Sequence, residues 1–315
     1  MEYRKLGLTG LKVSRMCFGV LTVGPLQANL PVPEGAAVIR YALESGVNFM
    51  DTAQCYKTYP YIKQALKGYD GEVVIASKSY AYTRDMMAQS IEEARREMGC
   101  DVIDVFLLHE QESALTIKGH WEAYEYLLEC KQKGIVKAAG ISTHTVAGVR
   151  AAGDIPEIDV IHPLYNIDGV GIIDGSAVEM GAAIAAAAGA GKGIYGMKPL
   201  GGGNLLADVE RAFSFVLGNN NLHSIAVGMQ TLDEVDMNVR LFTGRTVPDS
   251  VRQKVKARPR RLHIESWCRG CGRCAQRCKS GALQLVDGKI RADRKICCLC
   301  GYCGAACEDF CIKII

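Results

Sequence analysis

Short apolar runs of strand length alternate with helical stretches eight times in the first 245 or so residues, and that alternation leaves very few folds open. The runs are Met16–Val20, Val47–Asp51, Val73–Lys78, Ile103–Leu108, Ile135–Ile141, Val160–Pro163, Ile194–Lys198 and Ser224–Gly228. Helices are expected to start near Gly35, Tyr61, Arg84, Lys118, Val146, Gly175, Ala207 and Asp233. Thr83 and Asp208 stand where N-caps are needed, and Gly46, Gly134 and Gly193 stand where a helix must stop. Eight βα units in this length fit an α/β fold of the closed (β/α)8 TIM-barrel kind better than an open doubly wound sheet. An open dinucleotide-binding sheet would carry G-x-G-x-x-G after its first strand, and nothing like it follows Val20. The segment Gly189–Gly193 lacks the first Gly and the final Ser or Thr of a phosphate loop and precedes a strand, so it reads as a helix stop.

Such a barrel does its chemistry at the C-terminal ends of its strands. Strand two ends in Asp51, strand three in Lys78 and strand four in His109, while Tyr56 lies in the loop just past Asp51. Singly, each has an ordinary structural explanation: an Asp caps the next helix, a Lys is solvated, a lone His or Tyr packs. Together, at successive strand ends, they read as one catalytic site. A tyrosine hydroxyl ionises near pH 10 or about there. A Lys78 ammonium beside it is expected to favour the phenolate and make Tyr56 a better acid or base near neutrality. Asp51 would hold Lys78 charged and oriented, and His109 would donate to a carbonyl oxygen.

The last 48 residues carry ten of the fourteen cysteines. Eight of them form two runs of one spacing, C-x2-C-x2-C-x3-C: Cys268, Cys271, Cys274, Cys278 and Cys297, Cys300, Cys303, Cys307. Cys298 and Cys311 are left over, and Cys311 suits a buried apolar position. A disulfide scaffold would require a secreted chain, and the opening MEYRKLGLTGLKVSRMCFGV has no apolar leader. Zinc sites usually pair two C-x2-C knuckles across a longer gap, unlike three cysteines at successive short spacings. Iron–sulfur ligation is the reading that remains favoured.

At 315 residues, 49% of them hydrophobic, the chain can hold one large domain and one small one. A net charge of +3 gives no reason to expect nucleic acid, no stretch reads as a membrane span, and a cytoplasmic location is expected. The domain limits are read as 1–245 for the barrel, 246–264 for a basic linker and 265–315 for the cysteine-rich unit. The linker carries Arg252, Lys254, Lys256, Arg258, Arg260 and Arg261, which suit a solvated connection or a docking patch for an acidic ferredoxin or flavodoxin.

Residues 265–315 resemble a bacterial two-cluster ferredoxin, an α+β module holding two [4Fe–4S] clusters, in which the fourth cysteine of each run ligates the other cluster. The resemblance implies ligand sets of Cys268, Cys271, Cys274 with Cys307, and Cys297, Cys300, Cys303 with Cys278. The proline usual after each fourth cysteine is replaced by Lys279 and Glu308. Residues 1–245 resemble the aldo-keto reductase superfamily, through the opening segment, NFMDTAQCY, IASK, DVFLLH, KGIVKAAGIST, PLYN and MKPLGGG. That resemblance implies the tetrad Asp51, Tyr56, Lys78 and His109 and an extended NAD(H) or NADP(H). By position it places Ser142, Thr143, His162 and Met197 at the nicotinamide. Lys198, Leu200 and Gly201, with Gly228, Gln230, Glu234 and Asn238, would hold the pyrophosphate and adenosine.

Three departures bear on the cofactor. His162 stands where Gln is common, Met197 where an aromatic often stacks, and Glu234 where a basic residue usually meets a 2′-phosphate. Glu234 argues for NADH over NADPH, or for no dinucleotide there. Nicotinamide moves two electrons and a cluster one, so efficient exchange between the halves would need a converter such as a flavin. Carbonyl–alcohol interconversion of a small molecule is the favoured activity. A ferredoxin-linked oxidoreductase with a flavin or cluster-fed electrons, and a non-enzymatic electron carrier on a barrel scaffold, stay open.

Overall fold

The computed structural model describes residues 1–315. Eight parallel strands close into a barrel because their residues, drawn from the apolar runs, are buried on both faces. After an N-terminal hairpin of β1 (Tyr3–Lys5) and β2 (Lys12–Ser14), the barrel strands are β3 (Met16–Gly19), β4 (Phe49–Asp51), β5 (Val74–Ser79), β6 (Ile103–Leu108), β7 (Val136–Thr143), β8 (Val160–Pro163), β9 (Gly193–Met197) and β10 (Ser224–Gly228). Each pairs with the next, and β10 pairs back onto β3 with Ile225 opposite Met16 and Gly228 opposite Gly19. Inward-facing Cys17, Phe49, Ala76, Val105, Leu107, Ala138, Val160 and Tyr195 fill the barrel. A larger apolar shell joins the outer strand faces to the surrounding helices.

Those helices are α1 (Val32–Glu44), α2 (Tyr59–Leu66), α3 (Arg84–Met98), α4 (Ala114–Gly119), α5 (Trp121–Gln132), α6 (Val146–Asp154), α7 (Ala177–Gly189), α8 (Val209–Leu217) and α9 (Leu232–Phe242). Local chemistry sets their ends. Thr83 accepts from the amide of Met86 to start α3, and Asp208 accepts from the amide of Arg211 to start α8. Three features depart from the sequence reading. The β1–β2 hairpin was not foreseen; its Leu6 and Val13 plug the barrel floor. Residues after His109 form α4, opened by a capping box between Ser113 and Thr116, ahead of the helix start expected near Lys118. Gly193 begins β9, and it is Gly191, at φ 86°, that takes the left-handed position after α7.

Beyond α9 come α10 (Asp249–Ala257), β11 (Leu262–Ile264), α11 (Arg273–Arg277), β12 (Leu283–Val286), β13 (Lys289–Ala292), α12 (Tyr302–Ala305) and β14 (Ile312–Ile314). β11 pairs antiparallel with β14, and β12 with β13. The two cysteine runs share one backbone pattern. Gly270 and Leu299 both have positive φ, as do Gly272 and Gly301, and each second glycine opens a short helix. This unit packs on the loop after β9. The Nδ2 of buried Asn204 donates to the carbonyls of Gly201 and Ile312. A Cβ at Gly203, which sits at φ 88°, would overlap the carbonyl of Ile314. Gly203→Ala is therefore expected to cost about 1–3 kcal/mol, from left-handed strain and from separating the C-terminal unit from the barrel. Urea unfolding with limited proteolysis of the 245–265 segment checks this.

Candidate active site

The strand ends bring Asp51, Tyr56, Lys78 and His109 to one place. Lys78 is 1% exposed and donates to Asp51 Oδ2 at 2.8 Å and to the carbonyl of Thr52 at 2.7 Å. Its ammonium stands 4.9 Å from the centre of the Tyr56 ring. The Tyr56 hydroxyl lies 3.4 Å from His109 Nε2. The other oxygen of Asp51 accepts from the Tyr195 hydroxyl at 2.9 Å and lies 3.6 Å from His162 Nε2. His162 stacks on Tyr195 and hydrogen-bonds that residue's carbonyl through Nδ1 at 2.6 Å. Tyr195 was not singled out from sequence. The signal was there: within GIYGM on strand seven, period-two alternation puts Tyr195 on the same face as Met197.

Burial sets the protonation states. It holds the Tyr56 hydroxyl well above the ordinary tyrosine range, and the Asp51 charge adds to the effect. Tyr56 is therefore a neutral O–H donor. This corrects the expectation that Lys78 would draw out the phenolate, because the Lys78 charge is spent on Asp51 and the Thr52 carbonyl. Burial, with Lys78, Lys198 and His162 nearby, pushes His109 well below the ordinary histidine range. Burial likewise brings His162 down to about 4, against the pull of Asp51. Both imidazoles are neutral at pH 7. The ring of Tyr80 stacks on His109 at 4.3 Å between centroids, and its hydroxyl donates to Glu110.

These groups open onto a cavity of about 1470 Å³. Asp51, Tyr56, His109, His162, Met197, Lys198, Leu200, Gly228, Gln230, Glu234 and Asn238 line it. Ser142, Thr143 and Gly201 do not. Ser142 Oγ accepts from the amide of Glu110; Thr143 Oγ1 accepts from the amide of Thr145 and also meets that residue's hydroxyl. The cavity is larger than the roughly 300–1,000 Å³ of a pocket for one small molecule, which leaves room for an elongated ligand and a substrate. Two wall groups suit a dinucleotide. Asn238 is 4% exposed and its Oδ1 has no donor, as an acceptor waiting for an amine would. Lys198 has His144 Nε2, at 2.8 Å, as its side-chain partner rather than a carboxylate. Burial and the neighbouring Lys313 bring its ammonium down to about 7.

The C-terminal unit forms part of the same wall through Trp267, Cys298, Leu299 and Phe310. Phe310 lies under Lys198, 4.6 Å from ring centre to nitrogen. The linker is neither wholly solvated nor a single basic patch. Arg252 pairs with Glu210 and Lys254 with Asp233, while Arg258 and Arg260 both reach Glu234 inside the cavity, at 2.9 and 3.1 Å. Glu234 is thus committed, and the argument from a free carboxylate there against a 2′-phosphate loses its basis.

In the cysteine-rich unit, Cys268, Cys271, Cys274 and Cys307 face one small cavity together with Cys311, Ile290 and Ile312. Burial and the neighbouring Cys307, Cys268 and Cys271 push the Cys274 thiol up to about 11. Cys303 is raised to about 12 by burial, with Cys300, Cys274 and Cys297 close by. The amide of Cys311 donates to Cys307 Sγ, and the amides of Ala282, Leu283 and Ser280 to Cys278. No three Cys, His, Asp or Glu groups converge as tightly as on a single metal ion. The void shared by Cys268, Cys271, Cys274 and Cys307, with an amide donating to Cys307, has the donor chemistry that an iron–sulfur group would need; Cys297, Cys300, Cys303 and Cys278 do not line it.

Comparisons with known proteins agree with this architecture. Residues 15–220 match the aldo/keto reductase family, and the chain belongs to that family. It is an oxidoreductase of the aldo-keto reductase type. It is 24% identical to L-galactose dehydrogenase of Arabidopsis thaliana, over 77% of this chain and 88% of that one. It is 23% identical to an aldo-keto reductase of Bacillus subtilis, over 53% and 54%. A solved Pseudomonas aeruginosa structure assigned to the aldo-keto reductases superposes with a TM-score of 0.67 at 25% identity, covering 77% of this chain and 94% of that one. The holo form of a Bacillus halodurans aldo-keto reductase shares the fold at 20% identity and a TM-score of 0.65, over 81% and 95%. No helix is long and apolar enough to cross a membrane.

Lys198 generates a pH prediction. The unfolded chain keeps this amine protonated to about pH 10.4, whereas the folded protein releases the proton above about 7. Between those values the unfolded state binds more protons, so stability rises with pH. Lys198→Met is expected to flatten that rise and to stabilise the protein at about pH 6, which urea midpoints across the range will read.

Proposed function

We propose that this chain interconverts a small-molecule carbonyl and its alcohol with NAD(P)H at the barrel mouth. Tyr56 is the proton donor in the reductive direction, and Asp51, Lys78 and His109 serve it. The observation that carries the reading is the neutral Tyr56 hydroxyl, beside His109 and backed by the buried Lys78–Asp51 pair, on the wall of a cavity with room for dinucleotide and substrate. We further propose that residues 265–315 form a two-cluster [4Fe–4S] ferredoxin module, joined by the linker 246–264 to a barrel of residues 1–245. Its ligand sets are Cys268, Cys271, Cys274 with Cys307, and Cys297, Cys300, Cys303 with Cys278. When bound, the nicotinamide supplies a hydride and the clusters supply single electrons.

The residues' own roles follow from their geometry. Tyr56 gives its proton to the carbonyl oxygen as that oxygen gains negative charge, and the phenolate left behind faces the Lys78 ammonium. Lys78 is fixed in place by Asp51 and the Thr52 carbonyl, to both of which it donates. Tyr195 donates to the far oxygen of Asp51, and His162, stacked on the Tyr195 ring and bonded to its carbonyl, keeps that donor in place. Neutral His109 polarises and positions the carbonyl oxygen. His162, Met197, Lys198 and Leu200 form one end of the dinucleotide site. Gly228, Gln230, Glu234 and Asn238 form the other, where the free Asn238 oxygen suits an adenine amine. Ser142, Thr143 and Gly201 support this site from behind rather than touching the cofactor.

One observation favours a second reading, in which the barrel takes electrons from the clusters, through a flavin or directly, and from an external ferredoxin or flavodoxin. Trp267, Cys298, Leu299 and Phe310 of the C-terminal unit wall the cavity that Tyr56 faces.

Tyr56→Phe is expected to lower kcat/KM for dinucleotide-dependent carbonyl reduction by about 10²–10⁴-fold while leaving dinucleotide binding intact. Steady-state kinetics with binding titrations will decide; unchanged kinetics would remove Tyr56 from the chemistry. Anaerobically purified protein is expected to carry about eight iron and eight sulfide per chain, and Cys271→Ala about half or less. Iron and sulfide analysis with visible absorption reads this, and would expose a flavin by its own spectrum.

A further inference from the structure

Two neighbours in sequence, Cys55 and Tyr56, meet the two ring nitrogens of His109. Local chain geometry brings them there. Ala53 is extended, at φ −155° and ψ 156°, and the chain then makes a single 3₁₀ turn over Gln54–Tyr56 before Lys57 leaves it at φ 56°. Side chains along such a turn diverge by about a third of a circle per residue, so Gln54, Cys55 and Tyr56 point three ways. Gln54 is the anchor: its Oε1 accepts from the hydroxyls of Ser79 and Ser90, each at 3.1 Å, and its Nε2 donates to Glu93. Tyr56 sets its hydroxyl 3.4 Å from His109 Nε2, and Cys55 sets its Sγ 3.8 Å from His109 Nδ1. The Tyr80 ring covers the face of the same imidazole, and Gln111 donates to the His109 carbonyl. The ring is thus held in orientation, and what is left to settle is where its hydrogen sits.

That hydrogen decides where the Tyr56 proton points. His109 is neutral, so one ring nitrogen carries a hydrogen and the other is a bare acceptor. A bare Nε2 would accept the Tyr56 hydroxyl proton and hold it back from a substrate. A protonated Nε2 donates instead, to the Tyr56 oxygen or to a carbonyl oxygen, and leaves the Tyr56 hydrogen free. The bond made by Nδ1 sets which form exists. Cys55 is the side chain that meets Nδ1, and it lines the cavity. Desolvation raises its thiol above the ordinary cysteine range, so it keeps its hydrogen at neutral pH. Sulfur is a weak acceptor, whereas a bare imidazole nitrogen is a good one, so the thiol donating to Nδ1 is the better of the two pairings.

We propose that Cys55 is a positioning residue for the chemistry at Tyr56: its thiol, donating to Nδ1, holds His109 in the tautomer with the hydrogen on Nε2. His109 then donates to the carbonyl oxygen, and the Tyr56 hydrogen stays available to that same oxygen. This rests on the carbonyl-reduction reading above. Cys55 acts through His109, so its loss falls on turnover rather than on dinucleotide binding.

The test joins histidine ¹⁵N NMR with steady-state kinetics on the full-length, cluster-loaded protein, with His109→Asn used to assign the His109 signals. The wild type is expected to show a protonated Nε2 and a bare Nδ1. Cys55→Val, similar in size but without a donor, is expected to lose that preference and to lower kcat by about three- to tenfold, the worth of one neutral hydrogen bond, with dinucleotide Kd unchanged. Cys55→Ser keeps an O–H donor and should retain the wild-type tautomer and more of the rate, which guards against a packing effect in the Val variant. A wild-type ring protonated on Nδ1, or a Cys55→Val spectrum identical to that of the wild type, would overturn the inference while leaving the carbonyl-reduction reading standing. No reduction of any aldehyde or ketone in a panel, with NADH or with NADPH, would overturn that reading, and this inference with it.

Discussion

A single buried ammonium organises this molecule. Lys78 lies at the end of a strand whose every residue is buried, and the cost of placing a charge there is met only because Asp51 and a backbone carbonyl face it. Asp51 in turn is fixed by the hydroxyl of Tyr195, whose ring stacks on His162, and both come from strands on the opposite side of the barrel. Barrel closure is therefore what makes the pair possible, and burial beside the Asp51 charge is what keeps the Tyr56 hydroxyl neutral. Replacing any of these groups by an apolar one would leave a neighbour buried without its partner, so the four strand ends hold together as one electrostatic unit.

Much of this was legible in the residues. The strand–helix alternation was enough for a closed barrel, because an open sheet needs signals that are missing after the first strand. Asp51, Lys78 and His109 could be placed at strand ends because strand limits set by apolar runs fall within a residue or two of the observed ones. The direction of the Tyr56 pKa was not legible. It depends on how deeply the hydroxyl is buried and on where the Lys78 charge is already committed, and both are properties of packing. Ser142 and Thr143, expected at the nicotinamide, stand outside the cavity lining, because strand position predicts height in the barrel but not which side chains reach its open end.

The linker marks the clearest limit of pattern reading. Six basic residues in a polar segment look alike in sequence, yet they divide into exposed ion pairs and a cavity-facing pair. The glycines after β9 tell a related story. In sequence they resemble a loop that approaches a phosphate. In the fold, a Cβ at Gly202 or Gly203 would strike Phe310 or the Ile314 carbonyl, so their smallness admits the C-terminal unit. The two halves thus share walls and contacts around one cavity rather than hanging together by a tether.

Whether that cavity moves hydride or single electrons is the central question, and the fate of one hydrogen answers it. The full-length protein should be given NAD(P)H deuterated at the transferable position of the nicotinamide, together with a carbonyl substrate that it reduces, and the alcohol examined by NMR or mass spectrometry. Direct hydride transfer beside Tyr56 predicts deuterium on the carbinol carbon in every turnover, with the hydroxyl proton drawn from solvent. Solvent hydrogen at that carbon would contradict the account and assign the reduction to electrons delivered one at a time from the cysteine-rich unit.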